Sequence, residues 1–165
     1  MPDSTFLNDL TVDPTGTIYI SNTSRVQGAR DIYEFKDGSG AVFKTGDELY
    51  RTNGLLYYDQ QLLAGNTGDG LLKLVHLGDG GVQTVTSLGA GVIDGIKVDN
   101  EGRYLVSHWE GQVYRISPSG DVVELLDTTD QGRNCADFEF IGDDNLLIIP
   151  TFLSNTVMAY RLFPE

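Results

Sequence analysis

The chain has 165 residues with a formal net charge of −13, and 40% of the residues are hydrophobic. This length and composition predict one compact globular domain and argue against a disordered chain. The chain has only 11 Lys and Arg residues and 24 Asp and Glu residues. Because binding to a nucleic-acid backbone requires clustered Lys and Arg, we expect no nucleic-acid partner.

Apolar residues never reach the run of about 18 that a membrane-spanning helix needs, so we expect no membrane partner. The first residues show no signal-peptide pattern, and the cellular compartment stays open. The one cysteine, Cys135, lies in an apolar run and is predicted to be a buried thiol.

Four segments of the chain open with a polar anchor residue at a nearly constant spacing. The anchors are Asp9, Asn53, Asp94 and Asp137, at intervals of 44, 41 and 43 residues. A period of this length, filled with strand-like sequence, predicts the blades of a β-propeller. Equivalent positions of successive blades face one central channel, so residues about forty apart in sequence can lie around one ligand.

Each repeat is interpreted as a meander of antiparallel strands, because short apolar or alternating runs are bounded by Gly, Asp and Asn. The first repeat predicts strands at 10–13, 17–22, 31–35 and 41–43, and the second at 55–58, 62–65, 71–77 and 82–88. The third predicts 95–99, 103–107, 111–116 and 122–126, and the fourth 138–141, 146–149 and 156–162. No segment has a helical stripe. The chain is therefore predicted to be all-β, a single domain with blades at about 8–45, 52–88, 93–128 and 134–162.

Three segments resemble a known family. They are NDLTVDPTGTIY at 8–19, TNGLLY at 52–57 and IDGIKVDNEGRYLV at 93–106. In order and spacing they are similar to blade openings of the senescence-marker-protein, gluconolactonase and luciferin-regenerating-enzyme-like family. The resemblance implies a six-bladed propeller with a divalent metal in its channel. We therefore expect this chain to be an incomplete portion of such a propeller, with its first blades absent.

The resemblance also implies roles for three residues. Asn53 and Asp94 match metal ligands, Asp94 is in addition a candidate general base, and Asn8 matches a substrate-contacting asparagine. Oxygen ligands suit Ca²⁺ best, with Zn²⁺, Mg²⁺ and Mn²⁺ as alternatives. A further glutamate ligand has no counterpart in the chain, and Phe6 stands where the family pattern has an arginine. Without the resemblance, Asn53 and Asp94 can equally be turn-capping side chains.

Four other residues are weaker channel candidates. Asp9 fits the repeat position as well as Asn8 does, and Asp137 shares the register of the other anchors. Glu139 lies on the same strand face as Asp137, so the two carboxylates could extend a metal site or act as an acid/base pair. His108 ends a strand beside Trp109, where it could transfer protons or simply pack.

Two functions follow as hypotheses. The first is a metal-dependent lactone hydrolase-like propeller whose ligand is a small lactone or a sugar acid. The second is a non-catalytic propeller that binds a small ligand or a protein partner. Uncovered blade faces also predict possible self-association. The carboxylates of Asp13 and Asp99 are assigned to neither, because each lies in a D-x-x-G hairpin turn where it accepts backbone hydrogen bonds.

Overall fold

The computed structural model describes residues 1, 4–23 and 31–163, and the side chain of residue 31 is outside this description. The named strands of this part pair antiparallel with their neighbours. Three single turns of 3₁₀ helix, at Thr129–Gln131, Gly142–Asp144 and Phe152–Ser154, are its helices. None of the described helices is long and apolar enough to cross a bilayer. The prediction of an all-β chain is confirmed.

The chain divides into two compact units, Met1–Val92 and Ile93–Glu165. The first unit contains two four-stranded meanders. The first meander runs through β1 (Leu7–Val12), β2 (Ile18–Asn22), β3 (Asp31–Lys36) and β4 (Ser39–Thr45). The second consists of β5 (Thr52–Tyr58), β6 (Gln61–Gly68), β7 (Leu71–His76) and β8 (Val82–Ser87).

The second unit repeats this arrangement. Its first meander contains β9 (Gly91–Val98), β10 (Tyr104–His108), β11 (Gln112–Ile116) and β12 (Val122–Asp127). The first two residues of β9 belong to the first unit, where Gly91 and Val92 pair with β6. The last meander has three strands, β13 (Glu139–Ile141), β14 (Leu146–Pro150) and β15 (Val157–Arg161).

Short turns with left-handed residues connect the strands. Asp37 and Gly38 join β3 to β4 with φ of 51° and 79°, and Asp59 and Gln60 join β5 to β6 with φ of 47° and 63°. Two consecutive positive φ values are typical of the tight hairpin turn whose twist matches that of the flanking strands. Because the turn between β3 and β4 is this tight, the two strands end nearer to it than the predicted bounds of 31–35 and 41–43.

Each unit has its own apolar core. In the first unit a cluster of buried residues consists of Tyr19, Ile32, Leu49, Leu55, Leu62, Ala64 and Val75. In the second unit a cluster consists of Leu105, Val113, Cys135, Phe138, Leu147 and Ile149. Cys135 is buried as predicted, and burial raises the pKa of its thiol. Leu55 of β5 packs in the first core, and Phe138, which directly precedes β13, packs in the second, so each core reaches the start of one meander.

Candidate functional site

The first strands of three meanders share a β-bulge at the same place. In β1, Leu7 pairs with Asn22 and Leu10 with Ile20. In β5, Thr52 pairs with Asn66 and Leu55 with Ala64, and in β9, Ile93 pairs with His108 and Ile96 with Val106. Each time two residues of the first strand face one residue of its neighbour, which defines a bulge. The two bulge residues are Asn8-Asp9, Asn53-Gly54 and Asp94-Gly95.

The fourth meander has the same offset. Glu139 pairs with Ile148, and the backbone N–H of Ala136 donates to the carbonyl of Pro150 at 3.4 Å, so Asp137 and Phe138 face Ile149. The leading bulge residues, which are the first residues of the four bulges, are therefore Asn8, Asn53, Asp94 and Asp137.

This register differs from the predicted one in the first repeat. The equivalent of Asn53 is Asn8 rather than Asp9, and the first interval becomes 45 residues. The sequence could not decide between the two neighbours, because the decision depends on where β1 departs from the ladder of β2. All four leading bulge residues carry a side-chain oxygen, and only the last two carry a negative charge.

In the first unit, two leading bulge residues contact each other. The amide nitrogen of Asn8 donates to Oδ1 of Asn53 and to Oγ1 of Thr23, the latter at 3.2 Å. Oγ1 of Thr23 in turn donates to the carbonyl of Thr52 at 2.7 Å. Asn8 is exposed and Asn53 is buried, so the amide nitrogen of an exposed side chain orients the amide oxygen of a buried one.

The carboxylate of Asp9 is engaged with the backbone. Its two oxygens accept the N–H groups of Leu10 and Leu55, both at 2.7 Å. The second bond joins the first meander to the second, and the hydroxyl of Thr11 makes a parallel link to the N–H of Tyr57 at 2.8 Å. These contacts give Asp9 a structural role between the two sheets.

In the second unit, Asp94 is half-buried and Asp137 is exposed. Oδ1 of Asp137 accepts the N–H of Phe138 at 2.8 Å and lies close to the backbone of Gly95. Glu139 is exposed, with Oε1 accepting the N–H of Phe140 at 2.9 Å and Oε2 lying 3.7 Å from Nζ of Lys97. These contacts join Asp137 and Glu139 to their own neighbours in the chain, to Gly95 and to Lys97, and the role of the two carboxylates as an acid/base pair stays a prediction.

His108 is buried at the end of β10. Its Nδ1 lies 2.8 Å from Oε2 of Glu110, without the alignment of a hydrogen bond. Its Nε2 has no hydrogen-bond partner among the described residues. The ring stands edge-to-face to Tyr114 at 6.4 Å, and the adjacent Trp109 packs against Phe152 at 4.9 Å.

Each unit contributes two leading bulge residues, and all four carry side-chain oxygens, the donor type that a hard cation prefers. Among the described residues, no three His, Cys, Asp or Glu side chains group closely enough to hold a metal ion. Ca²⁺ and Mg²⁺ accept asparagine oxygens as well as carboxylates as ligands. Asn53 and Asp94 fit this requirement by residue type.

Two residues of the site were not found from the sequence. Ser21 and Ser107 face the bulges of β1 and β9 from the neighbouring strands, and their hydroxyls bond to the bulge backbone. The signal was present as two serines 86 residues apart, which is two repeats. It is a weak signal, because serine is common and the second repeat has Gly65 at this position.

Comparison with solved structures defines the fold class. A streptogramin B lyase superposes with a TM-score of 0.76 at 16% identity, over 98% of this chain and 56% of that one. A gluconolactonase from Xanthomonas campestris gives 0.72 at 21% identity, over 91% and 56%. A luciferin-regenerating enzyme gives 0.68 at 17% identity, over 88% and 53%. The fold is that of a β-propeller, as predicted, and the chain spans a little over half the length of these structures.

The family follows from the sequence match. Residues 2–151 match the family described as the SMP-30/Gluconolactonase/LRE-like region, and the chain belongs to this family. The predicted resemblance is confirmed. A comparison with curated proteins finds no match.

Proposed function

We propose that this chain is part of a divalent-metal-dependent lactone hydrolase that opens a small lactone to the corresponding hydroxy acid or sugar acid. The observation that supports this proposal is the common register of Asn8, Asn53, Asp94 and Asp137, each of which places an oxygen at the same bulge position. Membership of the gluconolactonase-like family supports a lactonase-type propeller. Ca²⁺ is the expected ion, with Zn²⁺, Mg²⁺ and Mn²⁺ as alternatives.

In this proposal Asn53 and Asp94 each supply an oxygen to the ion. When bound, a divalent metal would polarise the lactone carbonyl and lower the pKa of a water molecule. An amide oxygen has two lone pairs, so Oδ1 of Asn53 can accept the Asn8 amide hydrogen and still face a cation. Asn8 would thereby orient a ligand and lie beside the substrate.

Asp94 is assigned the role of general base. It takes a proton from the attacking water as the oxygen of that water bonds to the carbonyl carbon. The ester bond of the ring then breaks, and Asp94 returns that proton to the leaving alkoxide, which regenerates its carboxylate. One water molecule is consumed for each ring that opens. Asp94 is half-buried, which is compatible with access for both water and substrate.

The proposal is tested by titrating the chain with each of the four ions in a calorimeter and by following acid release from glucono-δ-lactone. We expect Asp94→Ala to lower turnover at least about 100-fold, the usual contribution of a general base, and to weaken ion binding. Asp121→Asn is the matched control, because Asp121 is an exposed carboxylate bonded to Ser117 and Ser119 in a turn. Unchanged affinity and turnover in Asp94→Ala would contradict the assignment.

One observation favours the second candidate, a non-catalytic propeller that binds a protein or a second copy of itself. Phe6, which stands in place of the family's arginine, is 57% exposed, and Leu10 and Val12 of β1 are 57% and 51% exposed. Exposed apolar residues on a first strand can contact another sheet. This candidate predicts no stoichiometric ion binding, and self-association predicts a solution mass near twice 18.0 kDa in sedimentation.

A further inference from the structure

The side chain of Ser107 sits between two of the bulges in the second unit. Its hydroxyl oxygen accepts the N–H of Gly95 at 2.8 Å, and the same hydroxyl donates to the carbonyl of Ala136 at 2.9 Å. Gly95 directly follows Asp94, and Ala136 directly precedes Asp137. The side chain is completely buried. One hydroxyl therefore fixes the backbone on which both candidate carboxylates are carried.

A bulge needs such a partner for a physical reason. It interrupts the ladder, so a backbone N–H and a carbonyl lose their usual strand partners. An unpaired buried N–H costs about 1–3 kcal/mol, and a hydroxyl can satisfy both kinds of group because it accepts and donates. Without the hydroxyl, the bulge would relax toward other backbone partners and turn the side chain of its leading residue.

The first unit contains a similar serine bridge. Oγ of Ser21 accepts the N–H of Asp9 at 3.0 Å and donates to the carbonyl of Asn53 at 2.6 Å. Asp9 directly follows Asn8, so this serine also connects two successive bulges, and it is completely buried as well. The two bridges are similar but not identical, because the accepting carbonyl belongs to the leading bulge residue Asn53 in the first unit and to Ala136, one residue before the leading one, in the second. Both serines nevertheless connect successive bulges.

We infer that Ser107, and Ser21 in the first unit, are positioning residues that set the direction of the leading bulge oxygens toward a bound divalent ion. Neither hydroxyl touches the ion or the substrate in this inference, and each acts through the backbone it holds. The inference rests on the proposed function, because it assigns to these serines the geometry of that site. Residues that orient metal ligands typically contribute about 10–100-fold in metal affinity.

The test compares Ser107→Ala with Ser107→Thr in the whole chain, using the ion that the wild type binds most tightly among Ca²⁺, Mg²⁺, Mn²⁺ and Zn²⁺. Calorimetry should show affinity weakened about tenfold or more in Ser107→Ala and largely retained in Ser107→Thr, which keeps a hydroxyl. Amide hydrogen exchange, measured by NMR without metal, should show faster exchange of the Gly95 N–H in Ser107→Ala alone. Ser21→Ala gives the same comparison through the Asp9 N–H.

Thr128→Val provides the control for a general loss of stability. Thr128 is also buried, and its hydroxyl donates to the carbonyls of Gly111 and Arg133, neither of which belongs to the four first-strand bulges. We expect this variant to lower the melting temperature and to leave ion affinity within about twofold. If Ser107→Ala does not fold, Ser107→Cys replaces it, because a thiol has similar size and is a weak hydrogen-bonding group.

The outcomes separate the inference from the function on which it rests. If Asp94→Ala loses ion binding while Ser107→Ala and Ser21→Ala bind as tightly as the wild type, the serine inference is overturned and the proposed function stands. A loss of affinity in Thr128→Val as large as in Ser107→Ala also overturns it. If the wild type binds none of the four ions, both are overturned.

Discussion

Asp99 shows how a single carboxylate can be assigned from its local sequence. Its Oδ1 accepts the N–H groups of Glu101 and Arg103, both at 2.9 Å, and its Oδ2 lies 2.7 Å from Nε of Arg103. Asp13 has the equivalent turn, with N–H bonds from Thr15 and Thr17. The prediction that these two carboxylates accept backbone hydrogen bonds in hairpin turns is confirmed. Burial acts to raise the pKa of Asp99, but the hydrogen bonds and charge of Arg103 outweigh it, and the pKa lies below its usual value.

This lowered pKa predicts how stability depends on pH. A carboxyl group with a depressed folded-state pKa contributes its stability above the unfolded value of about 3.9 and loses it as pH falls through the folded value. Asp99→Asn should therefore lower the free energy of unfolding by about 1–2 kcal/mol at neutral pH, since an amide keeps the acceptor oxygen but loses the charge facing Arg103. The difference from the wild type should shrink below about pH 4.

Urea denaturation between neutral pH and about pH 3.5 measures this difference. Asp143→Asn, a change at an exposed carboxylate, serves as the control and should stay within about 0.5 kcal/mol of the wild type. A gap between wild type and Asp99→Asn that stays constant through the acid range would show that the carboxylate charge is not what the turn uses.

The bulges organise the candidate site. In the bulge of β9, the surroundings also restrict which residue type can occupy the second position, Gly95. The φ angle of Gly95 is not left-handed, so glycine is needed here because there is no room for a side chain. A Cβ at this position would lie 2.7 Å from Oδ1 of Asp137, 2.8 Å from Cδ1 of Phe138 and 3.0 Å from Cα of Asp137. These distances are too short for an unstrained contact, and the last involves backbone that cannot rotate away. The close approach of two first strands in the second unit therefore requires glycine.

Gly95→Ala should lower the free energy of unfolding by about 1–3 kcal/mol, the usual cost of overpacking. The variant should also weaken ion binding, because the backbone of Asp137 must move to make room. Gly78→Ala is a matched control, since a Cβ at Gly78 meets no atom within 4 Å. Thermal and urea denaturation of the two variants measure the effect, and equal stability would refute the space argument.

At the scale of the whole molecule, the net charge of −13 dominates the electrostatics. A like-charged surface repels itself more in the compact state than in the unfolded chain, and salt screens this repulsion. The screening length falls from about 30 Å at 0.01 M to about 10 Å at 0.1 M ionic strength. The carboxylates thus favour solubility and at the same time lower stability at low salt.

Raising NaCl from about 0.01 M to about 0.1 M at neutral pH should raise the melting temperature by about 2–4 °C, which corresponds to about 1 kcal/mol for a chain of this size. Scanning calorimetry in the presence of a chelator measures this shift without a contribution from bound divalent ions. Near the sequence pI of 4.3 the shift should vanish or reverse. An equal rise at both pH values would contradict the charge argument.

The sequence alone determined the fold and the family, because both depend on patterns that are local or periodic. Strand positions follow from apolar runs between turn residues. The four repeats follow from the spacing of their anchor residues, and they can be recognised even when an anchor is misplaced by a residue or two. Candidate ligands could be named in the same way, since Asn53 and Asp94 stand at fixed places in recognisable blade openings. Their role as metal ligands stays a prediction.

Only the tertiary structure decided how the bulges are built and held. It placed Asn8 rather than Asp9 in register with Asn53, gave the Asp9 carboxylate to the N–H of Leu55, and identified Ser21 and Ser107 as bridges between bulges. The physical reason is that these hydrogen bonds join residues 29 to 46 positions apart. No local pattern encodes such a contact, because its partners meet only after neighbouring sheets have packed.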